Sequence, residues 1–296
     1  MKGSNIILIF AQKYKIPRRN LHYSRVKLNI RRKERKDSVT DKILAERESF
    51  LEKLNSMPID LELTKKFTKL GLGSKKRRKP DQWADVAAQG NGKHVASAHK
   101  NWPTFKHMLP EIALAGHSNC GKSTLVNALV GAAVGLNPRK RGIAKVSDRA
   151  GWTDQLCFYQ LGKKPPLFTL VDMPGYGHAV ASINVKRRWM EMIRDYIDNR
   201  KILHRCYVLV DCTRGLCSED CWILEYLQKR HVDNQIILTK ADLLSSQQLS
   251  QSVQMVMEQM LENSIPSVPI TAVCARHGAG VHDLWKSLLK VSNNPA

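Results

Sequence analysis

From Glu111 onward, short apolar runs alternate with amphipathic stretches, and this alternation restricts the fold more than any other feature of the chain. EIALAG (111–116), QLCFYQL (155–161), PPLFTLVD (165–172), RCYVLVD (205–211), NQIILTK (234–240) and VPITAV (268–273) have the length and residue types of strands. KSTLVNALVGAA (122–133), VKRRWMEMIRDYIDNR (185–200), SEDCWILEYLQKR (218–230), residues 246–262 and GVHDLWKSLL (280–289) have helical spacing. Apolar strands separated by helices imply an α/β fold whose mostly parallel sheet is covered on both faces. Ligands of such sheets bind beyond the carboxyl ends of the strands. The chemistry-bearing motifs of this chain sit at those ends.

The first motif is GHSNCGKST (116–124), directly after EIALA. Gly116, Gly121, Lys122 and Ser123 complete G-x-x-x-x-G-K-[ST], the phosphate loop of P-loop NTPases. Glycine lets the backbone curl so that its amides face phosphate oxygens, and the helix beginning at Lys122 adds its partial positive charge. His117, Ser118, Asn119, Cys120 and Thr124 complete the expected cradle. Lys122 is expected at the β and γ phosphates, and the Ser123 hydroxyl on Mg²⁺. Cys120 is read as loop filler; the alternative, given the positive potential here, is a lowered thiol pKa and oxidant sensitivity. Asp172, Met173, Pro174 and Gly175 open DMPGYG, 51 residues after Gly121. An aspartate ending a neighbouring strand approaches the metal through water, and the Gly175 amide meets a γ phosphate.

TKAD, comprising Thr239, Lys240, Ala241 and Asp242, ends the strand NQIIL. A carboxylate there accepts the N1–H and exocyclic amino donors of guanine, whereas adenine would leave it desolvated and unpaired. The Lys240 stem can lie along the base plane. The usual guanine-reading motif has asparagine where Thr239 stands, and a hydroxyl makes fewer bonds than an amide. Thr271, Ala272 and Val273 follow the last strand and are expected to offer backbone amides to guanine O6.

The charge is unevenly spread. The formal net charge is +22, and residues 1–80 hold 23 Lys/Arg against 8 Asp/Glu. That excess attracts a polyanion in a salt-sensitive way, whether RNA, DNA or an anionic membrane. The first 33 residues contain ten Lys/Arg and no acid, a pattern that fits a mitochondrial transit segment. A basic tail or a nuclear signal, with KKRRKP at 75–80, is the alternative. No apolar run reaches the length of a membrane span. Residues 41–72 carry amphipathic helix with a break at Ser56 to Pro58, and residues 73–101 read as a weakly ordered connection. Three segments result: a basic tail (1–40), a helical and linker extension (41–107) and the nucleotide-binding domain (108–293). Seven cysteines at irregular spacing imply reduced thiols and no zinc site, Cys212, Cys217 and Cys221 with His204 or His231 included.

GHSNCGKSTLVNAL (116–129), AGWTDQ (150–155), VDMPGYGHA (171–179) and LTKAD (238–242) together resemble the EngB (YihA/YsxC) family of ribosome-assembly GTPases, within the TRAFAC class. The similarity spans about 108–293. It departs at AGWT, where members usually carry Gly-Arg-Thr, and at TAV, where a serine-containing triplet is common. Thr239 is ordinary within the family. The resemblance implies a Ras-like G domain that binds GTP and GDP, with Gly151 and Trp152 beside the nucleotide and Thr153 completing Mg²⁺ coordination in the first switch. It further implies a monomer that assists maturation of the large ribosomal subunit through ribosomal RNA, in the mitochondrial matrix given the basic start. A nuclear, nucleolar or cytoplasmic location is the alternative, and a membrane- or division-associated regulatory GTPase is the rival function. Where many small GTPases orient the attacking water with glutamine, this chain has Tyr176. Slow intrinsic hydrolysis follows, with Lys122, Thr153 and Gly175 as the catalytic groups. His178 is a weak substitute for glutamine, and Asn119 is a possible ligand of a stimulatory K⁺. Simple packing and a partner contact are the alternative readings of Trp152.

Overall fold

The computed structural model describes residues 48–73, 92–105, 109–130, 142–144, 155–162, 165–176 and 183–293. Seven strands form one sheet: β1 (Gly92–Ala98), β2 (Glu111–Gly116), β3 (Leu156–Leu161), β4 (Phe168–Asp172), β5 (Leu203–Asp211), β6 (Asp233–Thr239) and β7 (Ile270–Ala272). Their order across the sheet is β1-β3-β4-β2-β5-β6-β7. From β4 to β7 all neighbours are parallel, while β1–β3 and β3–β4 are antiparallel. The expected α/β P-loop architecture with its mostly parallel sheet is what the chain adopts. The parallel part places the ends of β2, β4, β5 and β6 together: Leu114 lies opposite Asp172, and Asp211 opposite Thr239.

The period of two in the strands sorts the core into two layers. Ala113, Ala115, Val208, Val210, Ile236 and Leu238 face one layer. Ile112, Leu114, Tyr207, Leu209 and Ile237 face the other. Helices cover both faces, as continuous apolar strands require. On the second layer lie α2 (Lys122–Leu129), through Leu125 and Leu129, and α6 (Val281–Asn293), through Leu284, Trp285 and Leu288. The first layer is covered by α3 (Ile183–Asn199), α4 (Ser218–Lys229) and α5 (Ser246–Glu262). At the start of β2, the fully buried Glu111 carboxylate is satisfied by Arg200 Nε at 2.8 Å and the Tyr196 hydroxyl at 2.8 Å. This pairing joins the end of α3 to the sheet at the edge away from the phosphate loop.

Two stretches differ from the sequence reading. Residues 92–98, read as weakly ordered, are strand β1, paired antiparallel with β3 and irregular between His94 and Ala96. GKHVASA has one neighbour strand and no fully buried residue, so it lacks the apolar signal that marks the inner strands. Residues 48–73 pack into the first layer of the G-domain core. The helical break expected at Ser56 to Pro58 separates a helical stretch (48–56) from α1 (Leu61–Leu70). Asp60 caps α1 by accepting from the Leu63 amide, and Gly71 ends it in a left-handed conformation at φ 70°. Among the described residues no helix is long and apolar enough to cross a membrane.

Candidate functional site

The phosphate loop leaves β2 at Gly116 and enters α2 at Lys122. A Cβ on Gly116 would lie 2.6 Å from the Leu209 carbonyl oxygen, so only glycine lets the loop pass this close to β5. Asn119 and Gly121 take positive φ, 61° and 103°, which curls the loop around a concave backbone surface. Lys122 is 8% exposed, and its ammonium donates to the Gly116 carbonyl at 2.7 Å and the His117 carbonyl at 3.0 Å. The charge therefore rests inside the loop on two neutral acceptors. Cys120 fits the loop-filler reading. It is buried at 2% exposure, and desolvation raises its thiol pKa against the downward pull of Lys122. The thiol is inert, which disfavours the oxidant-sensitive alternative.

Ser123 and Asp172 meet where a cation is expected. The Ser123 hydroxyl donates to Asp172 Oδ2 at 3.4 Å. Asp172 as a residue is partly exposed, but its Oδ1 is sealed from solvent without a hydrogen-bond partner. An orphaned carboxylate oxygen beside a hydroxyl is a donor set of the hard-oxygen kind that suits Mg²⁺. Burial pushes the Asp172 carboxyl up to about 6, opposed by Lys122 and by the Ser123 hydrogen bond. A carboxyl raised in the folded state contributes stability below its unfolded value, and that contribution is lost as pH rises through about 6. Without cation or nucleotide, unfolding free energy is thus expected to fall between about pH 4 and 6, by at most about 3 kcal/mol. Asp172→Asn should flatten that fall. Denaturant titrations in EDTA across this range check it, and an unchanged slope in the variant would refute it.

Beyond Asp172 the chain is pinned around Gly175. The Trp189 indole Nε1 of α3 donates to the Pro174 carbonyl at 2.9 Å. The Ser118 amide donates to the Tyr176 carbonyl at 2.7 Å, and the Met173 amide to the Leu114 carbonyl at 3.0 Å. Tyr176, 4% exposed, gives its hydroxyl to the buried Asp220 of α4 in a short hydrogen bond. Burial and the adjoining Asp220 raise the Tyr176 pKa well above its usual value, so this phenol is no base. A Cβ on Gly175 would approach both Lys122 Nζ and the Ser118 Cα to 2.9 Å. Only a bare glycine amide fits against the loop here. His178 lies outside the described residues, as do Gly151, Trp152 and Thr153 of the expected first switch.

The end of the sheet expected to read the base is built by β6, β7 and the turns after them. The Thr239 hydroxyl, buried, donates to the Cys120 carbonyl at 2.6 Å, with the Val210 carbonyl at 3.2 Å. Thr239 is a strut between the base loop and the phosphate loop. Thr239→Val removes the strut's donor and is expected to cost about 1–2 kcal/mol of stability. Nucleotide affinity should fall several-fold while the preference among bases stays; urea unfolding and equilibrium binding measure the two. Lys240 stands at φ 55°, its ammonium 2.7 Å from Asp211 Oδ2, and Ala241–Leu243 form one 3₁₀ turn. Asp242 is held by the Cys274 thiol at 3.0 Å from Oδ1, with His277 Nε2 3.7 Å from Oδ2. Its burial and this contact raise the Cys274 thiol to about 12, so it stays protonated as a donor.

The triplet Thr271, Ala272 and Val273, expected to offer amides to guanine O6, is engaged within the sheet. Ile270–Ala272 is β7 itself, the Val273 amide donates to the Leu238 carbonyl at 2.8 Å, and the Thr271 hydroxyl accepts from Gln235 at 2.5 Å. The residues that reach Asp242 are Cys274 and His277, in the following loop. The alternation VPITAVCA continues without a polar break, which hid the end of the strand.

This arrangement has known relatives. The profile of a family described as "50S ribosome-binding GTPase" matches residues 111–240. The probable GTP-binding protein EngB of Bartonella tribocorum is 35% identical over 188 residues, 61% of this chain and 84% of that protein. That of Rhodopseudomonas palustris strain TIE-1 is 33% identical over 213 residues, 70% of this chain and 94% of that protein. The chain belongs to the EngB family of P-loop GTPases. A crystal structure of a probable GTP-binding protein EngB covers 62% of this chain and 98% of its own at 23% identity, with a TM-score of 0.46.

As an EngB-family member the chain adds contacts that its motifs did not announce. Asn127 of α2 brackets Ala144, accepting from its amide at 2.9 Å and donating to its carbonyl at 2.9 Å. Asp211 accepts from both the Thr213 amide and hydroxyl through Oδ1 while Oδ2 holds Lys240. Asp220, Trp189, Cys274 and His277 also support the site from outside the quoted motifs. All seven cysteines are free of disulfides.

Proposed function

We propose that this protein binds GTP with Mg²⁺, hydrolyses it slowly, and uses the two nucleotide states to assist assembly of the large ribosomal subunit. The observation that carries the nucleotide reading is the convergence of Lys122, the Ser123–Asp172 pair, Gly175 and Asp242 at one edge of the sheet. When bound, Mg²⁺ neutralises charge on the phosphoryl oxygens. Ser123 and Asp172 would hold it, Thr153 adding a ligand in the GTP state. Lys122 and the loop amides stabilise negative charge that develops during transfer. The Gly175 amide would sense a γ phosphate. Tyr176 is anchored to Asp220 and cannot orient water, so intrinsic turnover on the order of 10⁻³ s⁻¹ or below is expected. Asn119 is exposed at the tip of the loop and offers a carbonyl oxygen to K⁺. Equal turnover in KCl and NaCl at matched ionic strength would remove that ion from the proposal.

The ribosomal partner is supported by the family description and by the excess of Lys/Arg in residues 1–80. The acid-free start supports import into mitochondria. Crosslinking in the GTP state, followed by sequencing of bound RNA, should enrich organellar large-subunit ribosomal RNA or its precursor. Recovery of random RNA only would leave the GTPase and remove this task. Liposome binding that disappears on deleting residues 1–40 would favour a membrane-associated regulator instead. Fractionation of a tagged full-length chain tests the mitochondrial address, and the same cells test the expected monomer by its sedimentation.

A further inference from the structure

Residues 48–73 precede the segment matched by the family profile, yet they are joined by hydrogen bonds to the turn that reads the base. We propose that this N-terminal arm is a positioning element of the nucleotide site: by holding Ala241 and the start of α5, it fixes Asp242 and sets guanine selectivity and GDP residence. The proposal rests on Asp242 being the guanine contact. Leu54, Phe67 and Leu72, each at most 1% exposed, pack in the same core layer as Leu249, Val253 and Val256 of α5. Polar contacts follow the same path. Gln251 Nε2 donates to the Met57 carbonyl at 2.7 Å, the Ser250 hydroxyl to the Asp60 carbonyl at 3.2 Å, and the Ser246 hydroxyl to the Leu72 carbonyl at 2.8 Å. The last contact reaches the motif itself, where the Gly73 amide donates to the Ala241 carbonyl at 3.2 Å.

The turn needs such support. Lys240 occupies the left-handed region at φ 55°, which is unfavourable for a residue with a side chain, and only three residues of 3₁₀ helix follow. The Ala241 amide is bonded to the Val273 carbonyl at 3.3 Å, so the Ala241 backbone is held between β7 and the arm. Asp242 is the next residue. Gly73 is at φ 74°, and a Cβ there would lie 2.5 Å from Ser246 Cα and 2.7 Å from the Ser245 carbonyl carbon. The close seat requires glycine for both conformation and space.

The test uses the full chain carrying Gly73→Ala, with Ser246→Ala as a second, clash-free variant that removes only the Leu72 contact. Dissociation of fluorescent GDP and competition by inosine diphosphate are measured for both. Inosine lacks the 2-amino group, so the ratio of GDP to inosine diphosphate affinity reports the second carboxylate hydrogen bond rather than general stability. Dissociation about five- to tenfold faster is expected for Gly73→Ala, with the affinity ratio reduced at least threefold. Ser246→Ala should move both in the same direction to a smaller extent. Unchanged kinetics, or faster dissociation with an unchanged ratio in both variants, overturns the positioning role and leaves the arm as core packing alone. Failure of the parent chain to prefer GDP over ADP would instead refute the Asp242 reading.

Discussion

Asp242→Asn is expected to lose GTP binding by about 10²–10⁴-fold and to rank xanthosine triphosphate above GTP. Guanine presents two donors side by side, N1–H and the 2-amino group, and a carboxylate accepts both. The Asp242 side chain is 11% exposed and held by Cys274 and His277, so it is presented in a fixed orientation with little water to compensate a mismatch. Asparagine in that seat keeps one oxygen and replaces the other with an amide donor. The donor would oppose the guanine amino group, whereas xanthine carries a carbonyl at that position. Competition binding with GTP, xanthosine triphosphate and ATP decides it. Retained preference for GTP over xanthosine triphosphate would show that Asp242 does not read the base.

Lys122→Ala should weaken triphosphate binding by at least about 100-fold and lower turnover further, by about 10³-fold in all. The ammonium is placed by bonds to Gly116 and His117 carbonyls rather than by a carboxylate, so its charge is not neutralised before phosphate arrives. Its loss also leaves two loop carbonyls without that donor, at a stability cost of about 1–2 kcal/mol. The two effects separate by experiment. Affinity and single-turnover hydrolysis report the charge, and thermal unfolding of the nucleotide-free protein reports the carbonyls. A variant that is destabilised but hydrolyses GTP at the parental rate would exclude Lys122 from catalysis.

The sequence made the inner sheet legible because β2, β5 and β6 are apolar on both faces and bounded by helices of clear spacing. The phosphate loop was legible because its chemistry is local: glycine, lysine and serine act within eight consecutive positions. Strand β1 was not, since an edge strand with one partner has no need of apolar alternation. The end of β7 is not legible in TAVC, because hydrophobicity runs through Cys274 and only the ladder shows that Val273 is still engaged. The roles of Thr239 and Tyr176 were hidden for another reason. Thr239 bonds a residue 119 positions away and Tyr176 one 44 positions away, and no periodic pattern encodes such distant partners. The sequence did mark amphipathic helices in 41–72, but not that Phe67 and Leu72 complete the core beneath the base loop.

Trp189 gives this protein an optical readout of its own. Its indole is bonded to the Pro174 carbonyl beside Gly175, and its ring lies 4.8 Å from Tyr176 and 5.7 Å from Trp222, centroid to centroid. Any shift of the DMPG segment between nucleotide states changes the polarity and the quenching neighbours of that indole. Native emission should therefore track exchange and turnover in real time with unlabelled nucleotides, and a Trp189→Phe chain supplies the blank.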